Sequence, residues 1–262
     1  MSGPEPLAVT WSSEPSPALI ADARRAAERW ALPLYERPHK RGLAPKLGVV
    51  ASAFLVRGGK GWSLVDAQGA LGVSPGLAML RLKRLGQGAP LPDPLLHEAA
   101  IAPGEIVVDA TCGLGADARV LASAAGPRGR VIGVEASKPL AVLLAEGLPL
   151  EPPWPGSAPL EVVHADALAW LREQPSRSVD VVYFDPMFDR TRKASPAFAE
   201  LRRFAEPRPL TRAAVDEARR VARRLVLMKS ADPETFPPLG LEPQAPQPNA
   251  LVYWGRRVLR GP

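Results

Sequence analysis

A glycine-bearing turn between a strand-like run and a helix-like run constrains this chain more than any other feature. Ile106-Val107-Val108-Asp109 is short, apolar and β-branched, and it passes through Ala110-Thr111-Cys112-Gly113-Leu114-Gly115 into Ala116-Asp117-Ala118-Arg119-Val120-Leu121-Ala122, which are mostly good helix formers. Gly113, Gly115 and Ala118 fit G-x-G-x-x-G/A spacing, and Glu135 ends the next strand-like run 20 residues after Gly115. Glycines here let the backbone approach a ligand closely, and an acid on the second strand can accept hydrogen bonds from ribose hydroxyls. An adenosine-bearing ligand is expected.

Apolar runs near 105–109, 130–134, 160–164, 179–184, 224–229 and 250–254 alternate with helix-like stretches near 94–101, 115–125, 137–147, 166–173 and 211–223. That rhythm predicts an α/β, doubly wound, Rossmann-like sheet with right-handed crossovers. It begins after "LGQGAPLPDP" (85–94), whose glycines and prolines suit a linker. Upstream, 18–30 reads as an amphipathic helix, and two apolar runs around Arg57-Gly58-Gly59-Lys60-Gly61 read as a β-hairpin over 47–66. The expected organisation is a small N-terminal α+β module at 1–90 and a larger domain at 91–262. Residues 149–159 read as a proline-rich surface loop.

A chain of 262 residues with 46% hydrophobic and 23% charged residues can bury a full-sized core. No run approaches the roughly 18 apolar residues of a membrane span, and the first residues lack signal-peptide design, so a cytoplasmic protein with no membrane association is expected. One cysteine, Cys112, and histidines at 39, 97 and 164 offer no metal-ligand spacing, so no metal is expected.

Asp109 separates two ligand classes. A carboxylate four residues before Gly113 would repel a pyrophosphate but attract the ammonium of a methionyl group, which favours S-adenosylmethionine over a nicotinamide dinucleotide. Asp166, after the third strand of this domain, could accept from the adenine amino group. Each acid singly could be a helix cap or first-turn residue.

"VVYFDPMFDR" (181–190) then becomes legible. Its apolar half reads as a strand covered on both faces. Asp185 could be a turn residue, a metal ligand or a catalytic group at the carboxyl edge of the sheet. Beside a methyl donor the last reading leads: Asp185 and the Pro186 carbonyl would accept from the N–H groups of an exocyclic amine, and Phe188 would stack on an extruded base. Cys112 lies in the glycine loop rather than here, and reads as a small packing residue.

"DATCGLGADARVLAS", Glu135, "HADAL" and "YFDPMF" together resemble the class I S-adenosylmethionine-dependent methyltransferases, and in particular the RsmJ family of 16S ribosomal RNA guanine-N2 methyltransferases. The resemblance spans about 105–232, with "RLVLMKSAD" similar to that family's lysine-bearing strand and "PKLG" (45–48) similar to part of its N-terminal module. It implies that Asp109, Gly113, Gly115, Glu135 and Asp166 bind the methyl donor and that Asp185 to Phe188 meet the target amine. Asp189 stands where that family usually has proline. The segment before the first strand and the C-terminal "YWGRRVLRGP" also depart from it.

The net charge of +6 is uneven: Arg190, Arg192, Lys193, Arg202, Arg203, Arg208, Arg212, Arg219, Arg220, Arg223 and Arg224 crowd one segment. Clustered cations suit RNA, because binding releases counterions from phosphates, although a solvated helix face has the same composition. Arg190, Arg192 and Lys193 are placed to hold phosphates flanking an extruded nucleotide, and Lys229 to add a contact nearer the base or to be a plain surface lysine. RNA, in particular ribosomal RNA or the small subunit, is the expected partner. Transfer to an amine on DNA, protein or a small molecule, or a non-catalytic RNA-binding role, are the alternatives. If the hairpin at 47–66 forms a second wall for RNA, deleting 1–85 should spare methyl-donor binding.

Overall fold

Ser16, Asp93, Ser137, Asp166 and Thr211 each turn a side-chain oxygen onto a backbone N–H of the helix they precede, and Pro17, Pro94 and Pro139 occupy first-turn positions where no N–H is needed. Each such cap contributes about 1 kcal/mol and fixes where a helix starts. A computed structural model describes residues 5–73, 76–86, 93–148, 155–186, 196–206, 208–244 and 253–259.

The N-terminal part holds a four-stranded sheet. β1 (Glu5–Trp11) runs parallel to β2 (Ala51–Gly58), and β3 (Gly61–Asp66) and β4 (Gly69–Gly72) follow antiparallel, with helix α1 (Pro17–Trp30) linking the first two strands. The hairpin expected from the sequence is β2–β3, with its turn at Gly59-Lys60. β1 and β4 enlarge it.

After α2 (Gly76–Gly86) and α3 (Pro94–Ala99), the chain alternates: β5 (Ile106–Asp109), α4 (Ala116–Ala125), β6 (Arg130–Glu135), α5 (Lys138–Gly147), β7 (Leu160–His164), α6 (Ala167–Glu173) and β8 (Val179–Phe184). Then come α7 (Pro196–Arg202), α8 (Arg212–Val221), β9 (Ala222–Ser230), α9 (Phe236–Leu239), β10 (Glu242–Pro243) and β11 (Tyr253–Val258). The seven strands lie in the order β10-β11-β9-β8-β5-β6-β7. β5 to β9 are mutually parallel, and β11 enters antiparallel beside β9. This is the doubly wound, Rossmann-like arrangement the alternation predicts. Its strand order reverses at β5, between β6 and β8, which opens a crevice beyond the carboxyl ends of those strands.

The central strands are buried on both faces. Val182 and Phe184 of β8 pack with Val108, Val226 and Met228 toward α6 and α8, while Val181 and Tyr183 pack with Val107, Leu225 and Leu227 toward α3 and α4. Each fully buried side chain of this kind contributes about 1.5–3 kcal/mol, which is why an apolar run with no alternation is stable here. At the far end of the 149–159 stretch, Ala158 is wholly buried and its N–H donates to the Ala122 carbonyl, so that stretch is not all surface loop.

The two sheets meet across α5. Leu140, Val142 and Leu143 pack with Leu7, Val9, Ala26, Leu55 and Leu64 of the N-terminal sheet and α1. Trp30 Nε1 donates to Glu146 Oε1 at 2.8 Å across the same seam.

Cys112 is buried in the core, as its packing role requires, with its thiol beside Gly133 of β6: a Cβ added there would lie 2.4 Å from the Cys112 Sγ. We expect Gly133→Ala to destabilise the protein by about 1–3 kcal/mol through overpacking. The double variant Gly133→Ala/Cys112→Ala should recover part of that loss, measured as urea unfolding midpoints. Additive losses would show that the thiol is not what the new methyl meets.

Candidate active site

Parallel strands place their carboxyl ends on one edge, and this edge gathers the ionisable residues. Asp109 ends β5, Glu135 ends β6, Asp166 caps α6 just after β7, Asp185 follows β8, and Lys229 stands one residue before the end of β9. Asp109 is 1% exposed and accepts from the Thr111 N–H at 3.2 Å. Burial, then the charges of Asp117 and Asp185, push its pKa well above the carboxylate range against the pull of Thr111 and Lys229.

Gly113 and Gly115 adopt left-handed φ values of 54° and 71°, which favour glycine. A side chain on Gly115 would press on Leu144, whereas the space over Gly113 is open. Glu135 ties this loop to β6: one oxygen accepts from the Gly113 N–H and the other from the Ser137 N–H, both at 2.8 Å. Burial raises its pKa, those N–H groups oppose the rise, and Glu206 adds to it. A carboxylate has about four acceptor positions, so it can still accept from a ligand hydroxyl.

Asp185 is held by its own backbone, whose N–H donates to Thr111 Oγ1 at 2.6 Å, and by the Lys229 ammonium on its Oδ2. Lys229 also reaches Asp117 Oδ2 at 3.3 Å, and the same oxygen accepts from the Tyr183 hydroxyl at 2.8 Å. Arg81, from α2, binds both Asp117 and Asp93. Burial raises Asp185 to about 6; Lys229 opposes this and Asp117 adds to it. Asp117 is driven the other way: burial would raise it, but Lys229 and Arg81 outweigh that and leave it low.

Asp117, Tyr183, Thr111 and Arg81 are the residues that sequence reasoning missed. Asp117 reads in sequence as an ordinary first-turn acid of α4. The signal that could have found it is its place two residues after Gly115, on the helix that must cover the ends of β5 and β8.

Four carboxylates, Asp93, Asp109, Asp117 and Asp185, face two cations, Arg81 and Lys229. Burial favours the neutral form of Asp109, but Asp93, Asp117 and Asp185 still outnumber the two cations, so the pocket is negative and attracts a cationic ligand. An open glycine loop, a ribose-capable acid on the second strand and a negative cleft at the crevice fit S-adenosylmethionine, with its sulfonium and ammonium charges.

Asp166 spends one oxygen capping α6 through the Ala169 N–H at 3.0 Å, and its other lies 3.4 Å from Arg208. Pro186 follows Asp185 at the same edge. Phe188, Arg190, Arg192 and Lys193 lie outside the described residues. The basic segment is otherwise largely occupied: Arg203, Arg208, Arg212, Arg219, Arg220, Arg223 and Arg224 all pair with carboxylates. The charge of residues 203–224 is therefore largely matched by carboxylates, with Arg208, Arg212 and Arg223 remaining about half exposed. Arg57 is likewise engaged, by Asp22 at 2.9 Å and by the Trp62 ring. Lys229 is not a plain surface lysine.

A separate cavity of about 650 Å³ lies against the N-terminal sheet, between Leu43, Leu47, Val56 and Val65, away from these residues. Among the described residues no helix is long and apolar enough to cross a membrane, and no group of three His, Cys, Asp or Glu side chains is arranged to hold a metal ion.

Glu135→Ala should weaken S-adenosylmethionine binding by about 1.5–3 kcal/mol, the loss typical of a charge-assisted hydrogen bond. Calorimetry measures this directly, and turnover at saturating methyl donor should largely recover. Unchanged affinity would remove Glu135 from the methyl-donor site.

Residues 91–241 match the family described as "Putative SAM-dependent methyltransferase". The chain is 34% identical over 227 residues to the uncharacterized protein YpiP of Bacillus subtilis, covering 84% of this chain and 87% of that one. It is 46% identical over 102 residues to ribosomal RNA small subunit methyltransferase J of Laribacter hongkongensis, covering 37% of this chain and 35% of that protein. The corresponding protein of Cronobacter sakazakii is 38% identical over 160 residues, covering 58% and 60%. The chain thus matches about a third to three fifths of the length of those two enzymes. Among solved structures, TrmN from Thermus thermophilus aligns with 97% of this chain and 72% of its own at 17% identity, with a TM-score of 0.45. With the family match covering more than half of its residues, the chain belongs to the SAM-dependent methyltransferases, and S-adenosylmethionine is its cofactor.

Proposed function

We propose that the protein methylates an exocyclic amine of RNA, and that the amine is guanine N2 of small-subunit ribosomal RNA. The observation that supports this most is the position of Asp185-Pro186 at the exit of β8, one strand from Asp109 and bordering the acidic crevice. The names of the methyltransferase J relatives support the RNA class. Asp109, the glycine loop and Glu135 hold the methyl-donor side, with Asp166 at its adenine end. The small module of residues 1–90 and the domain of residues 91–262 act as one enzyme.

S-adenosylmethionine, when bound, supplies a methyl group on a positively charged sulfur. The protein's part is to bring a weak nucleophile to it. An exocyclic amine has its lone pair delocalised into the ring, and acceptors for its N–H groups favour the pyramidal form that frees the pair. The Asp185 carboxylate and the Pro186 carbonyl are such acceptors. On methylation the nitrogen gives up one proton, and the Asp185 carboxylate, with its raised pKa, is suited to take it. Tyr183 and Trp254 wall the site from behind, their rings 6.5 Å apart.

Mass spectrometry of small-subunit RNA from cells with and without the gene tests the reading. One N2-methylguanine should vanish on deletion and return on complementation. An unchanged modification pattern would remove ribosomal RNA as the substrate.

A further inference from the structure

Lys229 interrupts an apolar strand, Leu225-Val226-Leu227-Met228, that is buried at every one of those positions. Its cross-strand partner on β11 is Trp254, itself buried, so the lysine is flanked on that side by a ring. Its ammonium meets Asp185 and lies 3.3 Å from Asp117, and Asp117 is pinned by Arg81 and by the Tyr183 hydroxyl. Two carboxylates on one ammonium largely cancel the field that would draw a phosphate, and they take up most of its three N–H donors.

We propose that Lys229 is a positioning residue for methyl transfer: its ammonium, anchored on Asp117, clamps one oxygen of Asp185 so that the other is presented to the acceptor amine, and it makes no phosphate contact. The proposal rests on the reading of Asp185 as the residue that meets the amine. Its physical basis is orientation. A carboxylate on a single-bonded stem rotates freely, and Asp185 at the strand exit is fixed only at its backbone N–H unless something grips the side chain. Misplacing a catalytic group by about 1 Å can cost on the order of a hundredfold in rate. The ammonium also keeps Asp185 ionised among Asp109 of β5, Asp117 of α4 and the Tyr183 hydroxyl of β8, with Arg81 of α2 the other cation near the cluster.

The test follows the Asp185 carboxyl carbon by nuclear magnetic resonance, in protein without RNA, with the signal identified by its loss in Asp185→Asn. In Lys229→Gln the titration midpoint should rise by about one pH unit or more, the shift expected when a paired opposite charge is removed. In Asp117→Asn it should fall, since a like charge is lost and the lysine turns wholly to Asp185. An unmoved midpoint in Lys229→Gln overturns the clamp. Should that variant not fold, an unmoved midpoint in Asp117→Asn does so. A second arm uses unmodified small-subunit RNA from cells lacking the gene. Lys229→Gln should lose on the order of a hundredfold in kcat with RNA affinity and its salt dependence unchanged. A salt slope reduced by about 0.7–0.9 would make Lys229 a phosphate contact and overturn the proposal. If wild-type protein transfers no methyl to this RNA, the functional reading fails, while the carboxyl titration still decides the clamp.

Discussion

Asp185→Asn and Asp185→Ala should abolish methyl transfer while S-adenosylmethionine affinity stays within a few-fold of wild type. The residue lies after β8, the proposed acceptor side of the crevice, whereas the glycine loop and Glu135 lie at β5 and β6. Asparagine keeps the shape but not the charge: it offers a neutral oxygen, its amide N–H groups face the amine's own N–H groups, and it cannot take the proton. Affinity for the methyl donor should fall only modestly, because the glycine loop and Glu135, the contacts proposed for its adenosine part, are untouched. The wild-type enzyme should show the same dependence through pH. Burial raises the Asp185 pKa to about 6, so activity should decline as pH falls through that value, where the carboxyl becomes protonated and donates rather than accepts. Radiolabel transfer measured alongside calorimetry checks both halves. A collapse of methyl-donor binding in Asp185→Asn would place the residue on the other side of the crevice.

That prediction could be framed from sequence because Asp185 breaks an apolar run, and a break in a pattern is visible without a structure. The glycine loop, the acids at strand ends and the alternation of elements are legible for the same reason: each is local, fixed by residues a few positions apart. The seven-residue strand β1 is not. Glu5–Trp11 carries only three aliphatic residues and one tryptophan, and what makes it a strand is parallel pairing with Ala51–Arg57, more than forty residues away. Local composition holds no record of such a partner.

The partners of the arginines are illegible in sequence for a related reason. Arginine count gives electrostatics only where the guanidinium groups face water, and Arg224 instead binds Glu105 and the carbonyls of Ala99 and Ala100 at the end of α3. Arg220 likewise caps carbonyls of Leu171 and Gln174 at the end of α6. These arginines fasten helix ends to neighbouring elements. Arg81 shows the converse. In sequence it is one cation among several in "RLKRLG", yet it reaches Asp117 and so enters the network around Asp185 from outside the matched family region.

Removal of residues 1–85 should leave a chain that neither binds S-adenosylmethionine nor unfolds cooperatively, contrary to the expectation that the larger domain would keep its methyl-donor site. The reason lies in α5. Its Leu140, Val142 and Leu143 are covered by the N-terminal sheet and α1, and exposing three such side chains costs on the order of 5–9 kcal/mol at about 1.5–3 kcal/mol each. A domain of ordinary stability has only about 5–15 kcal/mol in total. The same helix begins at Ser137, whose N–H is held by Glu135, so disorder in α5 spreads directly to the acid that ties down the glycine loop. Arg81 would be lost as well, leaving Asp117 with Lys229 as its one remaining cation among the described residues. Near-ultraviolet circular dichroism, dye binding to exposed apolar surface and calorimetry with S-adenosylmethionine would report the three losses separately. A truncated chain with a sharp unfolding transition and wild-type affinity would show that the seam along α5 contributes little. In that case the N-terminal sheet serves the acceptor alone, and RNA methylation without the sheet is the measurement that would reveal it.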